Sequence, residues 1–159
     1  REKAILVLTT QTGLRASEVA SITLDDFLNY NPESGMKIRT KGDKPRVVYL
    51  TDSTIDYICK YLPSRKCGSD KLFVSNHGTD MVEKNLNTMV QKLARKTGTD
   101  KHWTFHSLRA CACVAVYEAT QDIILTQHWI GHSNLSTTLR YIRRDEKLKD
   151  VTENVFALL

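Results

Sequence analysis

The sequence predicts a mainly helical α+β fold that contains one small antiparallel β-sheet. Apolar residues recur at helical spacing over much of the chain. The pattern is clearest from Val82 to Leu93, where it marks one face of an amphipathic helix that ends near Gly98. Two short β-type runs, 36–40 and 46–50, flank the turn signal Lys-Gly-Asp-Lys-Pro and predict a hairpin.

The remaining elements are assigned in chain order from their apolar spacing and their end signals. Gly13 ends the first helix, and Glu18 lies in the first turn of the second. The helix that follows the hairpin begins at a capping residue, for which Thr51, Asp52 and Ser53 are all suitable. The predicted ranges are helices over 3–10, 16–22, 53–62, 106–119, 122–130, 136–143 and 145–159, and a short strand over 72–75.

Composition narrows the class of protein. The chain has 159 residues, which suits a single domain over 1–159, and 23 Lys+Arg against 18 Asp+Glu give a net charge of +5. We find neither an apolar run near the ~20 residues of a membrane helix nor a secretory signal, so we expect no membrane partner and a cytoplasmic protein. The four cysteines fit no zinc spacing and are interpreted as free thiols in a reducing compartment.

Basic residues are concentrated in two places. The run from Lys37 to Arg46 holds five basic residues against one Asp, and Arg140, Arg143 and Arg144 surround Tyr141. A basic run is usually a solvated surface, but two runs that each flank a reactive residue favour a phosphate-binding face.

Two segments near the C-terminus carry the side chains of acid–base and nucleophilic chemistry. His106 and Arg109 are three residues apart and therefore share one helix face. Gly131 ends a helix, which puts His132 on a turn, and Tyr141 follows on the next helix, for which Ser133 or Ser136 is the predicted cap. In isolation these are a surface His beside an Arg and a half-buried packing Tyr.

Two further candidates lie in the first third of the chain. Arg15 stands at a helix entrance after a Gly-containing turn, where a local salt bridge with Glu18 is the ordinary interpretation. Lys41 lies at the tip or shoulder of the hairpin, where a lysine often serves only solubility.

Taken together, these side chains are the parts that metal-free phosphoryl transfer requires. Guanidinium forks match the equatorial oxygens of a phosphodiester in its transition state. A hydroxyl nucleophile must lose a proton and the leaving oxygen must gain one, so a base and an acid are needed. Tyr141 is a plausible nucleophile because the aryl ester that it forms keeps the bond energy for the reverse step.

The order and spacing of four motifs resemble the catalytic domain of the tyrosine recombinase (phage integrase) family. The motifs are T-G-L-R-A-S-E at 12–18, T-K-G-D-K-P-R at 40–46, H-S-L-R at 106–109 and G-H-S-N-L-S-T-T-L-R-Y at 131–141. The resemblance implies the tyrosine recombinase catalytic-domain fold and six catalytic residues: Arg15, Lys41, His106, Arg109, His132 and Tyr141.

The resemblance also implies a role for each of these residues. Arg15 and Arg109 would clamp the scissile phosphate, and His132 would hydrogen-bond a non-bridging oxygen. Tyr141 would attack, with His106 assisting its proton transfer, to give a 3′-phosphotyrosyl link and a free 5′-hydroxyl. The general acid would be Lys41, with Lys44 as a competitor for that role; no cofactor or metal is implied.

The implied partners are double-stranded DNA, further copies of the chain in a tetrameric synapse on DNA, and accessory DNA-bending proteins; the implied location is on DNA in the cytoplasm. Lys44, Arg46 and Arg140 are further candidate DNA contacts. Many relatives carry His directly after the second Arg, where this chain has Ala110, which affects subfamily placement. The chain begins just before the first Arg motif, so we expect that the N-terminal DNA-clamp domain is absent from it.

Several alternatives stay open at this stage. The apolar tail ending at Leu159 could dock on a neighbouring protomer or fold back on its own core. Integration or excision of a mobile element is the expected role, and chromosome or plasmid dimer resolution would use the same chemistry. A type IB topoisomerase-like enzyme or a catalytically silent DNA-binding module are the other candidates; the G-H-S motif argues against the first and the six retained residues against the second.

Overall fold

The predicted fold class is confirmed by the computed structural model, which describes residues 1–39, 45–99, 101–132 and 134–142. Within these residues the chain forms helices and one two-stranded antiparallel sheet. The helices are α1 (Glu2–Thr12), α2 (Ala16–Ser21), α3 (Leu24–Leu28), α4 (Asp52–Tyr61), α5 (Glu83–Lys96), α6 (Phe105–Thr120), α7 (Ile123–Ile130) and α8 (Leu135–Ile142), with a 3-10 turn over Leu62–Ser64.

The hairpin consists of β1 (Met36–Ile38) and β2 (Arg46–Val48). The register pairs Met36 with Val48 and Ile38 with Arg46. Both strands are shorter than predicted, and the turn with Lys41 and Lys44 lies outside the described residues, as do Arg143, Arg144 and the predicted tail helix.

The core surrounds α1, which packs against α4 and α6. Its side chains from Ala4 to Thr10 are all buried. A second, smaller cluster joins α6, α7 and α8 and includes Cys113, Ile130 and Tyr141. No helix in the described part of the chain is long and apolar enough to cross a bilayer.

The prediction of a short strand over 72–75 is wrong. The segment makes only an isolated antiparallel bridge between Val74 and Asp80. Its main-chain groups are satisfied elsewhere: Leu72 N donates to Ile22 O at 2.8 Å, and Val74 N donates to the Tyr61 hydroxyl at 3.2 Å. With these groups already bonded, a ladder with another strand is not needed.

Local capping explains where several helices begin. Thr51 is the residue that caps α4, through a 3.2 Å bond from Thr54 N to its hydroxyl. The short helix α3 was not predicted, although Thr23 and Asp26 form a reciprocal capping box there. At α8, the amide of Ser136 donates to the side-chain oxygen of Asn134 at 2.8 Å, so Ser136 lies within the helix instead of capping it.

Candidate active site

The hydroxyl of Tyr141 is the centre of the candidate site. Tyr141 lies near the end of α8 and is 6% exposed, packed in the second cluster between α6 and α7. Its hydroxyl and the Nε2 atom of His106, in the first turn of α6, are 2.5 Å apart. Burial, together with the charge of Arg109, lowers the pKa of His106, so the ring is neutral near pH 7. A neutral imidazole at this distance can accept the hydroxyl proton.

His132 also contacts the tyrosine ring. The two rings are stacked with centroids 5.6 Å apart, and the Nδ1 atom of His132 is 2.9 Å from the hydroxyl of Thr138, one turn before Tyr141 on α8. Burial first, and then nearby Arg109 and Arg15, lower the pKa of His132 to about 4. His132 is therefore neutral at physiological pH, and its Nδ1 atom is occupied by Thr138.

Three arginines converge on the turn that carries His132. Consecutive main-chain oxygens at the end of α7 each accept from a different guanidinium. Arg46 Nη1 donates to the oxygen of residue 129 at 3.0 Å, Arg109 Nη2 to that of residue 130 at 2.6 Å, and Arg15 Nη2 to that of residue 131 at 3.0 Å. These oxygens are the carbonyls that a helix C-terminus leaves unpaired, where positive charge is favoured.

The main-chain oxygens at the C-terminal end of α1 also lie against two of these arginines. Arg109 Nη1 donates to the oxygen of Gly13, and Arg46 Nη2 lies 3.5 Å from that of Thr12. Gly13 has φ +60°, and a Cβ there would lie 2.2 Å from Ile130 Cδ1. Glycine is therefore required at this position, because it permits both the left-handed backbone and the close approach of the two helix ends.

Glu18 supplies the counter-charge. Its carboxylate is 2% exposed and accepts from the main-chain amide of Arg15 at 2.7 Å and from its Nη1 at 2.8 Å. Arg46 Nη2 lies 3.3 Å and Arg109 Nη1 lies 3.9 Å from the same carboxylate. The predicted Arg15–Glu18 salt bridge is thus one edge of a buried network rather than an isolated surface pair.

The pKa of Arg109 reflects both its burial and the positive charges around it. Burial, and then the charges of Arg15 and Arg46, lower the pKa of Arg109 to about 10, with Glu18 and Tyr141 acting in the opposite direction. Arg109 still carries its charge at neutral pH. Of the two predicted clamp arginines, Arg15 is the more accessible, with 35% of its side chain exposed against 4% for Arg109.

An open cavity of about 240 Å³ adjoins these residues. Arg15, His106 and Arg109 line it together with Glu83 and Asn87 of α5. Two of the three clustered arginines and the imidazole that contacts the Tyr141 hydroxyl therefore face a space that solvent can reach.

Of the six predicted catalytic residues, the structure brings five together: Arg15, His106, Arg109, His132 and Tyr141. Lys41, the sixth, and Lys44 lie outside the described residues. Arg140 is exposed on α8, whereas Arg46, predicted as a DNA contact, turns its guanidinium inward to the helix ends.

Sequence reasoning missed two members of the site. Glu18 was noticed only as a local partner of Arg15, although a Glu three residues after a helix-capping position is a signal for a capping interaction. Thr138 was not singled out, and its position six residues after His132 carried no signal that could separate it from the neighbouring threonine.

Comparison with known proteins identifies the class of protein that this fold and site define. Residues 1–147 match the model of the phage integrase family, so the chain belongs to that family. It is 32% identical over 147 residues to the tyrosine recombinase XerC of Neisseria meningitidis serogroup C (strain FAM18), an alignment that covers 91% of this chain and 48% of that protein. The chain thus spans about half the length of the curated relatives that it matches.

Solved structures agree with this assignment. A crystal structure of XerA recombinase superposes with a TM-score of 0.79 at 27% identity, covering 95% of this chain and 56% of that one. The XerH site-specific recombinase bound to difH substrate in a pre-cleavage complex gives a TM-score of 0.74 at 26% identity, covering 89% of this chain and 42% of that one.

Proposed function

We propose that this chain is the catalytic domain of a tyrosine-type, site-specific DNA recombinase, an enzyme that breaks and rejoins DNA through a 3′-phosphotyrosyl intermediate. The 2.5 Å contact between the Tyr141 hydroxyl and His106 Nε2 is the observation that carries the proposal. It pairs a nucleophile with a neutral base beside two arginines. Membership of the family and the resemblance to XerC supply independent support.

In the proposed reaction, Tyr141 Oη attacks the phosphorus while its proton passes to His106 Nε2. The bond from phosphorus to the 5′ oxygen breaks, and we assign Lys41 as the acid that protonates this oxygen. Arg15 and Arg109 would neutralise the charge that develops on the non-bridging oxygens. A tautomer of His132 whose Nδ1 accepts from Thr138 keeps its proton on Nε2, which would donate to one of those oxygens.

Double-stranded DNA is the proposed substrate; the similar XerH site-specific recombinase is bound to its difH substrate in the solved structure. Strand exchange between two duplexes breaks four strands, and each chain has one Tyr141, so the reaction calls for four copies assembled on DNA. Arg140 is exposed beside the nucleophile on α8 and is proposed as a DNA contact, with Lys44 as a second. Accessory DNA-bending proteins would assist the assembly.

Trapping the covalent intermediate tests the proposal. The protein is incubated with a pool of nicked duplexes carrying randomised half-sites, from which the short 5′-hydroxyl strand is lost after cleavage, so that rejoining cannot occur. We expect a protein–DNA adduct that survives denaturing electrophoresis, that is absent in Tyr141→Phe and that is retained in Tyr49→Phe, a matched change at a 59% exposed tyrosine. An adduct that persists in Tyr141→Phe, or none in the wild-type protein, refutes the assignment.

Integration and excision of a mobile element remain the proposed biological role. Resolution of chromosome or plasmid dimers by the same chemistry is the alternative. The DNA recovered on Tyr141 separates the two roles, because an element's ends and a single chromosomal site differ in sequence and in genomic position.

A further inference from the structure

We infer that Arg46 is a positioning residue that ties the hairpin to the two helix ends of the active site, and that it is not a DNA contact. Only the expected effect of Arg46 on catalysis rests on the proposed function. Its structural basis is the set of contacts that the Arg46 guanidinium makes inside the protein.

The guanidinium of Arg46 joins three separate parts of the site, as that of Arg109 does from α6. From strand β2 it reaches the end of α7 at the oxygen of Trp129, the end of α1 at that of Thr12, and the carboxylate of Glu18 on α2. Only 14% of its side chain is exposed. A side chain held in this way has little surface left to offer a phosphate backbone.

The fit around Gly131 shows how closely Arg46 packs against the His132 turn. Gly131 has φ +71°, and a Cβ at this position would lie 3.0 Å from both Cδ and Nη1 of Arg46. The arginine therefore covers the main chain immediately before His132. Burial is the main cause that lowers the pKa of Arg46, and the Glu18 carboxylate opposes it, as expected for a cation enclosed by the fold.

The position of Arg46 on the hairpin adds a further consequence. Lys41, the proposed general acid, precedes Arg46 by five residues in the sequence. Anchoring β2 at Arg46 fixes one end of the segment that delivers Lys41. The hairpin, the His132 turn and the two clamp arginines would then hold one common arrangement, and a change at Arg46 would disturb all of them.

The first test measures the DNA-free protein, so it is independent of the proposed function. The imidazole of His132 is titrated by NMR in the wild type, in Arg46→Gln, in Arg46→Lys and in Arg39→Gln, a matched change at an exposed arginine of the hairpin. We expect Arg46→Gln to raise the pKa of His132, because it removes a nearby positive charge and opens the turn, and Arg39→Gln to leave it unchanged. An unchanged His132 pKa in Arg46→Gln overturns the inference.

The second test separates positioning from DNA contact. Affinity for DNA is measured across salt concentration, and the first-order rate of adduct formation is measured at saturating nicked DNA. We expect Arg46→Gln to lower the rate by about 100-fold, the scale of a small misplacement of reacting groups, with the salt dependence of binding unchanged. Arg46→Lys, which keeps the charge but loses the fork, should fold as the wild type does and recover only part of the rate.

The opposite result identifies a phosphate contact. In that case Arg46→Gln lowers the slope of log affinity against log salt by about 0.9 and leaves the saturated rate unchanged. If the wild-type protein forms no adduct, the proposed function fails, and the His132 titration still decides whether Arg46 holds the turn.

Discussion

Replacing Glu18 with Gln keeps the shape of the side chain and removes the charge that three guanidinium groups share. Glu18 is 2% exposed, and Arg46 and Arg109, the partners at 3.3 and 3.9 Å, have 14% and 4% of their side chains exposed. Removing one partner of a buried ion pair costs about 3–5 kcal/mol, because the other charge stays buried without compensation. The pair with Arg15 adds less to this cost, because 35% of the Arg15 side chain is exposed to solvent.

We therefore expect Glu18→Gln to lower the free energy of unfolding by about 3 kcal/mol. In a domain of this size each kcal/mol corresponds to about 2–4 °C, so the melting temperature should fall by roughly 6–12 °C. Urea and thermal unfolding measure the effect, with Glu33→Gln, at an exposed turn position, as the matched control. A loss below about 1 kcal/mol would refute the argument that Glu18 balances the buried arginines.

Three more predictions concern individual titratable groups. Adduct formation should slow in acid, because a protonated His106 cannot accept the Tyr141 proton. The pKa of His106 is lowered, so the midpoint should lie below pH 6.5. A pH profile of the single-turnover rate with its midpoint above 6.5 contradicts this. The neutral state of buried His132 stabilises the fold fully above pH 6.5, and this contribution is lost as the pH falls toward 4. Urea unfolding at pH 7.5 and 4.5 should show about 2–3 kcal/mol of extra loss in the wild type compared with His132→Gln. If Lys41 protonates the leaving oxygen, a substrate with sulfur at the 5′ bridging position, which leaves without an acid, should restore cleavage in Lys41→Ala; rescue of Lys44→Ala instead would move the role to Lys44.

Local patterns predicted the helices other than α3, and the hairpin, because each of these elements carries its own signal. The apolar face of α5 and the left-handed glycine that ends α7 are both visible within a few residues of sequence. The prediction of a strand over 72–75 failed because the outcome there depends on distant contacts. A short β-type run does not show whether its main-chain groups will find a strand or, as here, a tyrosine hydroxyl and a distant backbone.

The residues of the candidate site also differ in whether a local sequence signal marks them. His106, Arg109 and His132 lie in short motifs, and the resemblance of these motifs to the tyrosine recombinase family selected them. The network around Glu18 depends on contacts far apart in the chain, with partners 28 and 91 residues later, and no local window contains them. For Arg46, the sequence showed a basic run and could not show that this member of the run points inward.

The electrostatics of the site explain why it needs both helix ends. Among the described residues, the guanidinium groups of Arg15, Arg46 and Arg109 share the carboxylate of Glu18, so these four groups together carry a surplus of positive charge in a mostly buried place. The partial negative charge at the ends of α1 and α7 offsets part of that surplus without supplying a full second anion. A second carboxylate would stabilise the folded protein further, but it would compete with a phosphate for Arg15, the most accessible of the three arginines. In the proposed reaction, main-chain carbonyls would keep the site assembled before DNA binds and would leave a net charge that a phosphodiester could neutralise.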